Sequence, residues 1–281
     1  MTLAPLPHHI IEEAVQNALK EDLGEAGDIT TNACVAHDAI TEVSINSRGS
    51  GVIAGAGIAC FVFQTHHAFK TSFNKNDGES VNPGDEIMTI EGPARGILTA
   101  ERVALNFLGH LSGIATATAA LVDAVKGTGA GIVCTRKTTP GLRALEKYAV
   151  RCGGGRNHRF GLYDAVMIKD NHIAAVGGIK KAIEACRVAV GHTVKIEVEI
   201  DGLDQLDAAL SGGADIVMLD NMSNDDMKKA VKRNNGQAVL EASGNVTVKT
   251  VRAIAETGVD VISSGWITHS APSLDLGLDF A

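Results

Sequence analysis

VKIEVEIDGLDQLDAALSGGADIVMLDN, residues 194–221, contains the unit from which the larger part of the chain is built. A strand-like run, Val194–Ile200, closes on Asp201. A helical pattern follows over Leu203–Leu210, and a second apolar run, Ile216–Leu219, closes on Asp220-Asn221. Outward from this stretch the rhythm repeats. Strand-like runs stand at Gly131–Cys134, Ala165–Ile168, Ala238–Leu240 and Val259–Ile262. Helical patterns at Lys180–Val190, Asp225–Arg233 and Val246–Thr257 separate them. Strand starts recur about every 20 to 35 residues, the spacing of βα units that feed a parallel sheet or barrel. A doubly wound sheet shows the same local alternation, so the choice falls to the residues at the strand ends.

Those ends are polar throughout: Arg136-Lys137, Lys169-Asp170-Asn171, Glu199 to Asp201, Asp220-Asn221, Glu241 to Gly244 and Ser263-Ser264-Gly265. In (β/α) barrels the C-terminal strand ends form the active-site mouth, and charges left unpaired beside apolar runs would cost several kcal/mol. A barrel that pairs these charges with each other, a metal or a ligand is therefore favoured. Strand parity puts Glu197 and Glu199 on one face, directed into the lumen, with valine and isoleucine on the other. Glu197 is expected to form a core ion pair with Lys169 or Arg136, and Glu199, closer to the mouth, to meet a ligand. For Glu241 both readings stay open. EASGN and SSGW each offer a small hydroxyl and a glycine whose backbone N–H groups can receive a phosphate monoester. The middle carboxylates suit Mg²⁺, which takes oxygen ligands and bridges to substrate phosphates. Together these features point to an anion-binding, metal-assisted phosphosugar enzyme.

Composition narrows the partners. The 281 residues carry a formal net charge of −8, which disfavours nucleic acid and anionic membranes. Residues 136–172 run against that balance, with eight Lys/Arg against three acids. A small, multiply anionic ligand explains such an island, although Arg143, Lys147 and Arg151 recur at helical spacing and read as a solvated helix face. Five scattered cysteines without a CxxC pair fit reduced thiols in a cytoplasm, and Cys152 reads as a packing residue rather than a nucleophile. The N-terminus shows no secretory pattern, and the apolar run Val52–Phe63 is too short to span a bilayer. Ahead of the repeating part, Ile10–Lys20 is amphipathic. Residues 40–98 read as short antiparallel strands around a helix at Phe61–Phe69. A helical stretch from Leu98 is expected to break near Ser112-Gly113.

TRKTTPGLRALEKYAVRCGGGRNHRFGLYDAVMIKDNH, Thr135–His172, resembles the quinolinate phosphoribosyltransferase family almost position for position. EDLGEAGDITT, LTAERVALNFLGHLSGIAT, IEVEID, VMLDN, EASGN and SSGWITHS are similar to further landmarks of that family. The resemblance implies an N-terminal α/β sandwich over residues 1–113 and an incomplete (β/α) barrel over 114–281. It also implies a homodimer in which the partner's Arg102 completes each active site. The implied reaction joins quinolinate to the ribose 5-phosphate unit of phosphoribosyl diphosphate. Decarboxylation then gives nicotinate mononucleotide, CO₂ and diphosphate. The implied acceptor pocket is Thr135, Arg136, Lys137, His158, Arg159, Lys169 and His172. Glu199 and Asp220 would hold Mg²⁺ and the phosphoribosyl group, and Ser243, Gly244, Asn245, Ser264 and Gly265 the 5-phosphate. Lys137, Lys169, Glu199 and Asp220 are the residues expected to carry the chemistry. A sister phosphoribosyltransferase acting on another anionic acceptor is the alternative. A Schiff-base aldolase using Lys169 would need neither so many arginines nor the carboxylates.

Overall fold

The computed structural model describes residues 3–65 and 67–280. The chain opens with α1 (His8–Leu23), α2 (Ile29–Cys34), β1 (Ile40–Ser47), β2 (Gly51–Val52) and α3 (Ala56–Gln64). It continues through β3 (Lys70–Phe73), β4 (Ser80–Val81), β5 (Glu86–Pro93), α4 (Ala94–Ala124), β6 (Gly131–Val133) and α5 (Arg143–Cys152). Then follow β7 (Val166–Ile168), α6 (Asp170–Val176), α7 (Ile179–Ala189), β8 (Ile196–Ile200), α8 (Leu203–Ser211), β9 (Ile216–Asp220) and α9 (Asn224–Asn234). The last elements are β10 (Val239–Ser243), α10 (Val251–Ala255), β11 (Val261–Ser263), α11 (Trp266–His269) and β12 (Leu276–Phe280). They form two compact units, and the units do not follow chain order. Residues 138–154 and 270–281 pack with 1–119, whereas 120–137 and 155–269 form the other unit. The boundary expected after residue 113 falls within α4.

The first unit is built on an antiparallel sheet of order β12-β1-β5-β3, with Val43 opposite both Ile90 and Phe280. Val43, Ile45, Met88 and Ile90 are fully buried, so β1 and β5 turn an apolar face to the core. α3 is apolar on nearly every side and buries Ile58, Val62 and Phe63. The break expected at Ser112-Gly113 does not occur, because α4 runs through both residues. Ser112 Oγ instead accepts the Ala54 N–H at 3.0 Å. A β-carbon on Gly113 would lie 2.1 Å from the Pro272 carbonyl oxygen. Glycine there permits close backbone approach, which offsets the roughly 1 kcal/mol that it costs within a helix. α4 alone among the described residues is long and apolar enough to cross a membrane, and two-thirds of its most apolar stretch is buried, as suits a core helix. The solvated face expected on α5 is likewise overturned. Lys147 is fully buried, and so is Glu146, whose carboxylate accepts the Thr139 N–H at 3.1 Å and lies 2.9 Å from His110 Nε2.

The second unit is a six-stranded parallel sheet of order β6-β11-β10-β9-β8-β7, flanked by helices. β6 and β7 lie at its two edges and do not pair with each other, which leaves the barrel incomplete. Ile196, Val198 and Ile200 are buried on one face of β8, each contributing about 1.5–3 kcal/mol of apolar burial. Glu197 and Glu199 fall on the other face, as the parity of the strand requires. The helix expected over Val246–Thr257 shortens to α10. Its start is taken by a local turn in which Thr247 N donates to Thr250 Oγ1 at 3.0 Å and Thr250 N to Thr247 Oγ1 at 3.3 Å. Hydroxyls bonded to nearby amides compete with a helix in this way.

Candidate active site at the mouth of the barrel

A cavity of about 870 Å³ opens at the C-terminal ends of the parallel strands. It receives all of the expected site residues of this unit except His172: Thr135, Arg136 and Lys137 after β6, His158 and Arg159 before β7, Lys169 after it, Glu199, Asp220, and both glycine loops. The parallel register explains the convergence. Neighbouring strands end at the same level, with Ser243 beside Asp220 and Ile200 beside Leu219. His172 is exposed, and its Nδ1 accepts the Lys169 N–H at 3.0 Å, so it fixes the backbone that bears Lys169. Arg102 lies exposed on α4, outside the cavity lining, and forms no hydrogen bond or ion pair among the described residues.

The site has a floor and a rim. On the floor, Glu197 and Glu241 are only 2% and 3% exposed. His158 Nε2 lies 3.1 Å from a Glu197 oxygen and 3.5 Å from a Glu241 oxygen. The second oxygen of each carboxylate, Oε1, has no partner among the described residues. Glu197 therefore pairs with His158, not with the Lys169 or Arg136 expected from sequence. Burial pushes the Glu241 carboxyl up to about 7, the Glu197 charge adds to the rise, and His158 and Ser263 oppose it. Near pH 7 Glu241 therefore divides about evenly between its neutral and ionised forms.

At the rim Lys169 Nζ hydrogen-bonds Glu199 Oε2. Arg159 bonds the Ala165 carbonyl at 3.0 Å, and burial together with the Arg136 charge pulls its guanidinium below the ordinary value. Cations crowded in this way favour an anion between them. Thr268 Oγ1 donates to the Lys137 carbonyl at 2.8 Å, and the Lys137 N–H donates to Thr135 Oγ1 at 3.0 Å, which fixes the loop bearing Lys137. Ser264 Oγ is buried without a partner among the described residues. A β-carbon on Gly265 would come within 3.0 Å of the Lys137 side chain and 3.2 Å of Thr135 Oγ1.

Among the described residues, His158, Glu197 and Glu241 form the trio whose ligand atoms lie within 4.8 Å of one another, the spacing of a metal site. Its hydrogen bonding argues against a metal. The Arg159 N–H donates to His158 Nδ1 at 2.7 Å, so the ring proton sits on Nε2, which then donates to the carboxylates instead of ligating. Glu199 and Asp220, from adjacent strands and lining the same cavity, are hard oxygen donors that could hold Mg²⁺. Cys152 stays out of the chemistry, since burial pushes its thiol up to about 12. Thr268 carries no signal in the sequence, and Asn221 is named there only as one of the polar residues at a strand end, without a site role. Only the Asp-Asn and Gly-Asn dipeptides at 220–221 and 244–245, typical of residues that accept a left-handed backbone, could have drawn attention to the second.

Two family models cover the chain: quinolinate phosphoribosyl transferase, N-terminal domain, over residues 28–112, and its C-terminal domain over 114–279. The nicotinate-nucleotide pyrophosphorylase [carboxylating] of Mycobacterium leprae is 45% identical, with 95% of this chain and 96% of that protein covered. A probable enzyme of the same name from Bacillus subtilis is 43% identical, with 97% and 94% covered. Among solved structures, NadC from Streptococcus pyogenes superposes with a TM-score of 0.94 at 42% identity and 99% coverage of each chain.

Proposed function

The chain belongs to the quinolinate phosphoribosyltransferase family, and from that membership we infer what its barrel mouth does. The enzyme transfers ribose 5-phosphate from phosphoribosyl diphosphate to quinolinate with loss of CO₂, which gives nicotinate mononucleotide and diphosphate for NAD biosynthesis. The observation that carries this reading down to residues is the charge layout of one cavity. The cations Arg136, Lys137, Arg159 and Lys169, the carboxylates Glu199 and Asp220, and both glycine loops all line it.

Two adjacent carboxylates on a small ring call for planar, bidentate donors, which arginines supply and which penalise a monoacid by leaving a guanidinium unpaired. Arg136 and Arg159 take that part, braced by His158 from below. The pyridine nitrogen attacks the anomeric carbon of the ribose as the bond to the diphosphate oxygen breaks. Positive charge builds on the sugar in that step, and Glu199 and Asp220 stabilise it electrostatically. Mg²⁺, held by the same two carboxylates, would neutralise the departing diphosphate. The product is a pyridinium. Its adjacent carboxyl leaves as CO₂, the bonding pair stays on the ring carbon, and a proton closes the step. Lys169 and Lys137 line the pocket where that proton is needed.

Arg102, exposed on α4 and without a hydrogen bond or ion pair among the described residues, is assigned to the active site of a second copy in a homodimer. The free thiols support a reducing, cytoplasmic setting. Incubation with Mg²⁺, phosphoribosyl diphosphate and either quinolinate or nicotinate tests the acceptor, with product formed from the diacid alone as the expected outcome. Mixed dimers of Arg102→Ala and Lys169→Ala chains should regain part of the activity if the sites are shared, and no recovery would remove Arg102 from this role.

A further inference from the structure

We propose that Asn221 is a positioning residue for the phosphoribosyl donor, a strap that ties the Asp220 carboxylate to the Ser243-Gly244-Asn245 loop. The inference rests on the assignment of Asp220 and that loop to the phosphosugar.

Three non-glycine residues among those described have a left-handed backbone: Asn221 (φ 52°), Asn235 (φ 45°) and Asn245 (φ 49°). Asn235 caps the end of α9, an ordinary use of this conformation. The other two line the cavity and hydrogen-bond each other, Asn245 Nδ2 donating to Asn221 Oδ1 at 3.3 Å. Asn221 makes two further bonds. Its Nδ2 donates to Asp220 Oδ2 at 2.9 Å, and its backbone N–H donates to the Ser243 carbonyl at 2.9 Å. One residue at the end of β9 thus holds the carboxylate before it and the loop that follows β10.

The fit is close. A β-carbon on Gly244 would lie 2.2 Å from Asn221 Oδ1 and 2.6 Å from its Cγ, so the loop runs directly over the asparagine side chain. Gly244 itself has φ 105°, which L side chains avoid. Glycine would meet the backbone demand at 221 with less strain than asparagine. The side chain must therefore account for the choice of residue, and its contacts run to Asp220 and Asn245. The amide oxygen and nitrogen serve different partners, so aspartate cannot replace it without losing the bond to Asp220 and adding a like charge beside it.

The test is Asn221→Gly, which keeps the left-handed backbone and removes both side-chain bonds. Titration calorimetry in magnesium buffer should show the Kd for phosphoribosyl diphosphate rising about tenfold, the size of one lost charge-assisted hydrogen bond. The Kd for quinolinate should stay within about twofold, and the melting temperature should not fall. Asn221→Asp should weaken the donor at least as much and again spare quinolinate. In steady state the KM for the donor should rise more than kcat falls. An unchanged donor Kd in Asn221→Gly, or an equal loss for both substrates, would overturn the proposal. If the wild-type chain bound the donor yet gave no product from quinolinate, the acceptor assignment would fail, while the donor arm would still decide the role of Asn221.

Discussion

Glu197 and Glu199 are two residues apart on one strand, face the same way, and have opposite fates. Glu197 sits on the floor, buried against His158 and within reach of the Glu241 cluster. Glu199 stands at the rim beside Lys169 and lines the cavity. Depth along the strand, not residue type, separates a carboxylate that holds the barrel together from one available to a substrate. A buried pair of carboxylates cannot both ionise cheaply, so the floor takes up a proton. At the rim Glu199 instead meets Lys169 and lines the open cavity.

The largest effect that could break this comparison lies at the rim. Lys169→Ala removes the partner of Glu199 and a pocket cation together. It should lower kcat/KM by about 10³-fold while the melting temperature stays within a few degrees, because the site is open. A stability loss as large as the activity loss would put Lys169 on the structural side.

The floor should respond to pH instead. Glu241 rises from an ordinary value of 4.5 to about 7, so the native chain binds this proton more tightly than the unfolded chain. Its contribution to stability is fully present below 4.5 and is lost as the pH climbs through about 7. Glu241→Gln mimics the protonated acid. Denaturant titrations should show the variant gaining on the wild type by about 3 kcal/mol between pH 4.5 and pH 8. A constant difference across that range would mean the floor holds no shared proton.

Gly244→Ala comes next. It forces a β-carbon into Asn221 at a backbone angle that alanine avoids, so a loss of about 1–3 kcal/mol is expected by thermal melting, together with weaker donor binding. At the bottom of the scale, Lys229→Ala breaks an exposed pair with Asp226 on α9 and should leave the melting temperature nearly unchanged, with kcat unaltered.

Much of this was legible in the sequence because a parallel sheet enforces period and level. The βα rhythm around residues 194–221 located the strands, and their shared polar ends located the mouth. The resemblance of Thr135–His172 supplied the diacid. What sequence could not supply was contact between distant segments. Ser112-Gly113 looked like a helix break, since nothing local reveals Pro272 pressing on the glycine. Lys147 looked solvated because its spacing matches that of Arg143 and Arg151, and spacing does not tell which side of a helix is covered. The return of β12 to pair with β1 carries no local signal, since DLGLDF has little strand signature of its own. Glu197 was expected to pair with a cation that the mouth instead assigns to Glu199.

The reaction assigned to this cavity joins a pyridine diacid to a phosphoribosyl group and then decarboxylates it. Purified protein given Mg²⁺, phosphoribosyl diphosphate and quinolinate labelled at the carboxyl next to nitrogen tests it in one measurement. Labelled CO₂ should appear in step with nicotinate mononucleotide and diphosphate. Nucleotide formation from nicotinate but not from quinolinate, with no labelled CO₂, would contradict the account.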